Sequence, residues 1–440
     1  LEKSPKRRWV SVNEKFGGLF ETLLETRPIF KNREYLRPTY TPEELPHREE
    51  QIHQLAQILV APLRGETPSN VFIYGKPGTG KTATVKYVMK ELEKVSDKAS
   101  RKIEIVYLNC ERINTNYRTL ATLTNAFLEK IREKHGEERL ASLGLPKQIP
   151  KTGWPTDQVY DCFFKSVDHE RQLVVIVLDE IDKLVLKSGD EVLYNLTRIN
   201  SDLINARVSI IGISNDLNFV GYLDPRVRSS LGEEELVFSP YNALQLKDIL
   251  KRRAAMSFVE GVIGEGVIGL CAAHAAREHG DARRALDLLR VAGETAEREG
   301  SEMVTTEHVT RAFQKIEQDK MLEVISTLPT QSKLVLYSIV LLKERGIRKI
   351  VTGDAYATYC ALCRQTNLDI LTQRRVSDLI SELDMLGIIN ARIVSKGRYG
   401  RTKEIGLNIQ PIQARAAIQK NDEYIGDLNV STLPRQIMFS

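Results

Sequence analysis

Lys81 and Thr82 close the stretch GKPGTGKT, residues 75–82, which matches the pattern G-x-x-x-x-G-K-S/T. That spacing suits a loop that cradles phosphate. Glycines let successive backbone N–H groups turn inward, the lysine ammonium reaches the outer phosphates, and the hydroxyl that follows holds Mg2+. Gly75, Pro77, Gly78, Thr79, Gly80, Lys81, Thr82 and Ala83 are therefore the expected contacts for ATP or ADP. A second pair, Asp179-Glu180, ends an apolar run at 173–178. Downstream of a phosphate loop, Asp179 would join Thr82 in the Mg2+ shell and Glu180 would polarise the attacking water. Asn215, at the end of the neighbouring run 209–213, can orient that water; a plain strand-end turn is the alternative. Asp182 reads as a helix cap. Gly280-Asp281-Ala282-Arg283-Arg284 opens a later helix. An arginine there can swing onto a γ-phosphate and couple domain angle to nucleotide state, although on spacing alone two arginines that begin a helix are usually solvated.

A separate chemistry is written near the end of the chain. Arg392, Lys396, Arg398, Arg401 and Lys403 stand against Glu404 on one hairpin, with Tyr399 at its tip. These cations repel one another unless an anion meets them, and such a wing can track a minor groove or backbone. Just upstream, Thr372 is a plausible N-cap, and Gln373, Arg374, Arg375 and Ser377 lie off the apolar face of the helix that follows. The N-terminal end of a recognition helix is the part that enters a major groove. A solvated surface with a protein-binding wing is the other reading. Cys360 and Cys363 form one C-x-x-C with no second pair nearby, and read as core thiols.

These residues need elements to hold them. The run 71–74 reads as a buried strand and 83–91 as the helix after the loop. Strands at 103–108, 173–178 and 209–213 alternate with helices, giving a doubly wound α/β domain whose ligands belong at the carboxyl ends of the strands. A helix is expected at 47–60, preceded by an extended, proline-bearing connector at 40–46. Residues 136–155 break regularity between helices and read as a surface insertion. From 241 to 313 the pattern is helical. Beyond 319, helices at 334–342, 354–364 and 372–386 precede a hairpin that turns at 396–400, which together make a winged helix. The third of these helices is expected to bury Val376, Leu379, Ile380, Leu383 and Leu386 and to stop at Gly387. The expected domains are an α/β ATPase at 1–240, a helical lid at 241–318, a winged helix at 319–415 and a tail at 416–440.

Bulk properties set outer limits. A chain of 440 residues suggests roughly three domains. A net charge of +5 permits nucleic-acid binding without requiring it. The five scattered cysteines suit reduced thiols in the cytoplasm. No apolar run approaches the roughly 20 residues that span a bilayer, and the opening LEKSPKRRW carries no apolar signal segment. Residues 1–9 are basic, which fits a solvated tail or a phosphate-contacting arm, and 12–26 looks like a short amphipathic helix.

With these motifs placed, the chain resembles the archaeal replication initiators of the origin recognition complex and cell-division-cycle family, which are AAA+ ATPases. The resemblance covers nearly the whole chain. It is carried by LPHREEQI, GKPGTGKT, VLDEID, ISN, LDPRVRSSLGEEE, SPYNALQLKDILKRRA, GDARRALDLLR, and TQRRVSDLISELDMLGI with SKGRYGRT. It implies that Arg283 is the second-sensor arginine, that Tyr241 and Arg253 meet the nucleotide from the lid side, and that Pro46, His47 and Arg48 line the adenine side. It implies that Lys147 and Lys151 belong to the helical insertion that touches DNA. LDPRVRSSLG looks like the segment that carries an arginine finger. Arg226 and Arg228 are the candidates, and Ser230 stands where some relatives have an arginine. The implied activity is slow ATP hydrolysis used as a switch by a protein that binds double-stranded origin DNA. The implied partners are the replicative helicase, which it helps to load, and other initiator paralogues, in the cytoplasm at the nucleoid. A transcriptional regulator switched by ATP, and a clamp-loader-like remodeller, are the alternatives.

Overall fold

The computed structural model describes residues 28–64, 66, 69–99, 102–113, 115–231, 234–395, 401–420 and 425. The basic tail at 1–9, the helix expected at 12–26, the wing tip with Lys396, Arg398 and Tyr399, and nearly all of 421–440 lie outside these residues. The chain divides into two units, 1–309 and 310–440.

The described chain of the first unit begins by pairing with residues far along the sequence. Phe30 bridges to Phe258, their rings lie 4.6 Å apart, and the N–H groups of Lys31 and Asn32 both donate to the Ser257 carbonyl. Residues 37–46 then run as irregular chain to α1 (Glu49–Val60). A five-stranded parallel sheet follows, with its helices inserted between strands: β1 (Val71–Gly75), α2 (Lys81–Ala99), β2 (Ile103–Asn109), α3 (Asn116–His135), α4 (Glu137–Ser142), α5 (Thr156–Val167), β3 (Leu173–Asp179), α6 (Ile181–Ser188), α7 (Glu191–Arg198), β4 (Arg207–Ser214), α8 (Pro225–Leu231) and β5 (Glu234–Phe238). The strand order is β2-β3-β4-β1-β5. Every residue of β3 is buried. Because side chains alternate across a strand, Val174, Ile176 and Leu178 pack into the layer under α3 and α5, while Val175 and Val177 face the layer of α1 and α2. Each such side chain contributes about 1.5–3 kcal/mol of burial. This doubly buried strand is what delivers Asp179 to the carboxyl edge of the sheet.

β5 has no counterpart in the sequence reading. It is an edge strand paired only to β1, and Glu234 and Glu235 face outward, so its polar start hides it. The insertion at 136–155 is well anchored: α4 fills part of it, Leu140, Leu145 and Ile149 are buried, and the Asn125 side chain bonds both the N–H and the carbonyl of Ile149, at 2.7 and 2.9 Å. Three helices form the lid, α9 (Ala243–Ser257), α10 (Val267–Arg277) and α11 (Ala282–Arg298). The unit boundary falls within α12 (Thr306–Thr327).

The second unit is a winged helix: α13 (Thr330–Glu344), β6 (Ile350–Val351), α14 (Thr352–Thr366), α15 (Gln373–Met385), β7 (Ile389–Ser395), β8 (Arg401–Leu407) and α16 (Pro411–Gln419). The sheet order is β6-β8-β7, with antiparallel pairs. Val376, Leu379, Ile380 and Leu383 are buried as expected, but Leu386 is 50 % exposed, because α15 ends one residue earlier and the chain turns at Gly387 with φ +72°. α16 runs past the point where the tail was expected to begin, and Ile425 is buried in this unit's core. Cys360 is half-buried and Cys363 buried within α14, packed with that core. Among the described residues no helix is long and apolar enough to cross a membrane.

Candidate nucleotide site and basic winged helix

A cavity of about 900 Å³ opens at the carboxyl ends of β1, β3 and β4, closed on one side by residues 37–46 and on another by α9 and α11. Lys81, Thr82, Ala83, Asp179, Glu180, Asn215, Tyr241, Arg253 and Arg283 all line it, together with Pro46, Gly78, Thr79 and Gly80. Gly75 and Pro77 shape the loop without lining the cavity.

The Lys81 ammonium is folded back into its own loop, donating to the carbonyls of Gly75 at 2.7 Å and Lys76 at 2.9 Å. Burial lowers its pKa to about 8, against the upward pull of Asp179. The Thr82 hydroxyl donates to Asp179 Oδ2 at 2.9 Å, and the Tyr107 hydroxyl donates to the same oxygen. The other carboxylate oxygen accepts the Glu180 N–H at 3.0 Å. A hydroxyl and a carboxylate this close, at the rim of a phosphate loop, are hard oxygen donors of the kind Mg2+ takes, so the residues present fit that ion. Burial, followed by the charges of Glu111, Asp179 and Asp182, raises the Glu180 carboxyl above its ordinary range. Glu180 also has φ +57°, a left-handed conformation that costs a non-glycine residue about 1 kcal/mol or more.

Asp182 is not the helix cap expected from sequence. Glu180 holds the position before α6, and the buried Asp182 accepts the backbone N–H of Asn215 at 3.3 Å instead. The acidic strand end and the residue on the neighbouring strand are thereby held together.

Lid and loop meet directly. Asp281 caps α11, accepting the N–H of Arg283 at 2.8 Å, and the Ala282 N–H donates to the Gly78 carbonyl at 3.1 Å. Gly78 sits at φ +72°, and any Cβ there would overlap the Asp281 carboxylate. At Gly80, with φ +89°, a Cβ would lie 2.7 Å from the Tyr241 hydroxyl. The two arginines of α11 part ways: Arg283 faces the cavity, whereas Arg284 pairs with Glu278. Arg253 is buried over the Tyr40 ring, 4.4 Å from its centroid, and its Nη1 has no hydrogen-bond partner. Burial holds that guanidinium's pKa down. An orphaned, desolvated donor of this kind on a cavity wall calls for an acceptor from outside the protein.

His47 and Arg48 do not line the cavity as the resemblance implied. Arg48 is buried behind the loop, donating from Nε to the Thr79 carbonyl at 2.8 Å and from Nη2 to the Ser239 carbonyl at 2.7 Å, with its guanidinium 3.9 Å from the Tyr241 centroid. Two stacked planes and two backbone bonds make it a bracket between loop and lid. His47 Nε2 lies 3.3 Å from Asp248. Arg226 and Arg228 are exposed on α8, outside their own chain's cavity, and Arg226 pairs with Asp224 at 3.2 Å. Lys147 and Lys151 are exposed, Lys147 pairing with Glu137 at 2.6 Å. Sequence reasoning missed Tyr107, Asp281 and Tyr40. Asp281 had a legible signal, an aspartate one residue before a helical run.

In the second unit, Thr372 caps α15 by accepting the Arg375 N–H at 3.4 Å. Gln373, Arg374 and Arg375 are exposed on its first turn, and Ser377 is half-buried. Lys403 behaves differently from a free wing cation: it donates to the Ser377 carbonyl at 3.3 Å and to Ser381 Oγ at 2.5 Å, tying β8 to α15. Arg392 stands opposite Glu404, and Arg401 opposite Ser395.

Comparison with known proteins agrees with this architecture throughout. Residues 44–211 match the AAA ATPase domain, 247–314 the Cdc6 AAA+ ATPase-type lid domain, and 323–417 the CDC6 C terminal winged helix domain. An ORC1-type DNA replication protein of Pyrococcus abyssi is 62% identical over 397 residues, 90% of this chain and 91% of that one. ORC1-type DNA replication protein 1 of Methanosarcina acetivorans is 60% identical over 90% of this chain and 92% of its own length. The solved structure of the Aeropyrum pernix ORC1 protein in complex with DNA is 45% identical, with a TM-score of 0.69, covering 90% of this chain and 98% of that one.

Proposed function

The chain belongs to the ORC1-type DNA replication proteins, and on that premise we propose that it is an ATP-switched initiator that holds double-stranded origin DNA and helps to load the replicative helicase. The observation that carries the reading is the direct seam between phosphate loop and lid, where the Ala282 N–H meets the Gly78 carbonyl and the next residue, Arg283, faces the cavity. A nucleotide there touches both lobes at once.

The chemistry follows from the donor set. Phosphates draw the Lys81 ammonium away from the Gly75 and Lys76 carbonyls and onto themselves. Thr82 and Asp179 would hold Mg2+, which when bound would neutralise phosphate charge. Glu180, with its raised affinity for a proton, takes one from the attacking water, and Asn215 orients that water. Arg283 meets the γ-phosphate from the lid, and Arg253 and Tyr241 complete the lid-side wall. Arg226 and Arg228 do not line their own cavity, so any finger acts on a neighbouring copy; without one, turnover is slow. Glu180→Gln is expected to bind ATP as the native chain does and to lose hydrolysis; hydrolysis at the native rate would remove Glu180 from this role.

Each unit carries its own DNA-facing element: in the second, the exposed first turn of α15 with Arg374 and Arg375 and the wing beyond it; in the first, the anchored insertion bearing Lys147 and Lys151. The Aeropyrum pernix relative solved with DNA supports this reading. Footprinting of total genomic DNA, with and without ATP, tests it: a nucleotide-dependent footprint at discrete sites is expected, and uniform coverage would overturn it. Direct capture of the helicase by the purified protein tests the loading step.

A further inference from the structure

We propose that His135, His169 and Glu170 form a zinc site that pins the last turn of α3 to the turn between α5 and β3, at the edge of the sheet opposite the nucleotide. The three donor atoms lie within 4.8 Å of one another. Glu170 Oε1 is 3.6 Å from His169 Nε2 and 3.9 Å from His135 Nε2. Ligand atoms around a tetrahedral zinc lie roughly 3.3 Å apart, given bonds of about 2.0–2.1 Å, so small side-chain rotations close the gap.

The decisive residue is His169. Its Nδ1 lies 2.8 Å from the Ser166 carbonyl, which can only accept, and 3.4 Å from the Gln172 amide nitrogen; the shorter contact puts the proton on Nδ1 and leaves the lone pair on Nε2. Only 4% of this side chain is exposed, yet Nε2 has no hydrogen-bond partner. A buried imidazole with one nitrogen fixed by a carbonyl and the other bare is a metal ligand already set in its tautomer. The turn that carries it is rigid. Asp168 accepts the N–H groups of Asn205 and Ala206 at 2.7 and 2.8 Å, and the Gln172 side-chain amide donates to the Val167 carbonyl at 2.7 Å.

Nearby cations are engaged by groups other than the three ligand atoms. Lys102 pairs with the far oxygen of Glu170, leaving Oε1 to the histidines. Lys130 and Lys134 both pair with Glu104, and Arg139 donates to the His169 carbonyl at 3.4 Å. Two imidazoles and one carboxylate with an open side supply three of zinc's four positions, and water supplies the fourth.

The test uses the full chain stripped of metal with a chelator, then titrated with zinc, and with cobalt(II) as a spectroscopic stand-in. One equivalent of zinc is expected in the native chain and in Asp179→Asn, and that equivalent is lost in His135→Ala and in His169→Gln while nucleotide binding stays native. His135 is on the surface, so its variant reads the site even where His169→Gln fails to fold. Retention of the equivalent by a folded histidine variant, or no uptake by the native chain, would overturn the proposal. So would a thiolate charge-transfer band with cobalt, which would move the metal to Cys360 and Cys363.

Discussion

Lys81 gives nucleotide binding a pH dependence that can be worked out in advance. In the empty protein its pKa is about 8, against an ordinary 10.5, because the ammonium is buried. Phosphates favour the charged form and return the value to about 10.5 or above. Well below pH 8 the free lysine is already charged, and affinity is flat. Above it, each binding event must first take up a proton. At pH 9.5 only about 3 % of free sites are protonated, so affinity falls by about thirtyfold relative to pH 7, or about 2 kcal/mol. Nucleotide phosphates finish ionising near pH 6 and do not contribute in this window. The same shift has the opposite sign for the empty fold. The unfolded lysine stays charged to about 10.5, so unfolding takes up a proton between about 8 and 10.5, and the empty protein gains stability from this group as pH rises. Fluorescence anisotropy with a labelled ADP, from pH 7 to 9.5 in chelator, measures the affinity, and Lys81→Met is the control. A flat profile in the native chain, or an equal fall in Lys81→Met, would refute the reasoning.

Three further outcomes follow from contacts already described. Asp281→Ala removes the cap of α11 and should lower stability by about 1 kcal/mol in a thermal melt, with weaker nucleotide binding because the same residue seats the lid on Gly78. Arg48→Ala strands the Thr79 and Ser239 carbonyls and unstacks Tyr241; a loss of about 2–4 kcal/mol is expected by denaturant unfolding, and a loss under 1 kcal/mol would deny it the bracketing role. On DNA, Arg374→Ala should reduce the slope of log affinity against log salt by about 1, whereas Lys403→Ala, already engaged by α15, should weaken binding through wing position and leave that slope unchanged.

Much of the nucleotide site was legible because its chemistry is written in contiguous stretches. Gly75–Thr82 and Asp179-Glu180 announce themselves by spacing, and the alternation of strand and helix puts both at one edge of a sheet. What stayed hidden depends on partners far apart in sequence. Spacing cannot choose between Arg283 and Arg284; the choice is made by Glu278, which engages the second, and by the Asp281 cap, which orients the helix. Asp182 sits where a cap would, but the left-handed Glu180 takes that place and frees Asp182 to hold Asn215. Lys403 counts as a wing cation by composition and as a tether by contact. β5 escaped because an edge strand needs only one buried face, and its opening glutamates mask the alternation that remains.

The pairing of Phe30 with Phe258 gives the first unit an unusual connectivity. The polypeptide touches the lid at Lys31 and Asn32, returns to the sheet through residues 37–46, and reaches the lid again after β5 near Tyr241. Two straps therefore join the same pair of bodies, one covalent after β5 and one held to the lid by hydrogen bonds and ring packing at residues 30–32. A single strap leaves a body free to swivel in every direction, whereas two strap points define a line, and the easy relative movement reduces to rotation about it. One of those straps is itself a wall of the chamber, so a guest held there bears on the axle as well as on the door.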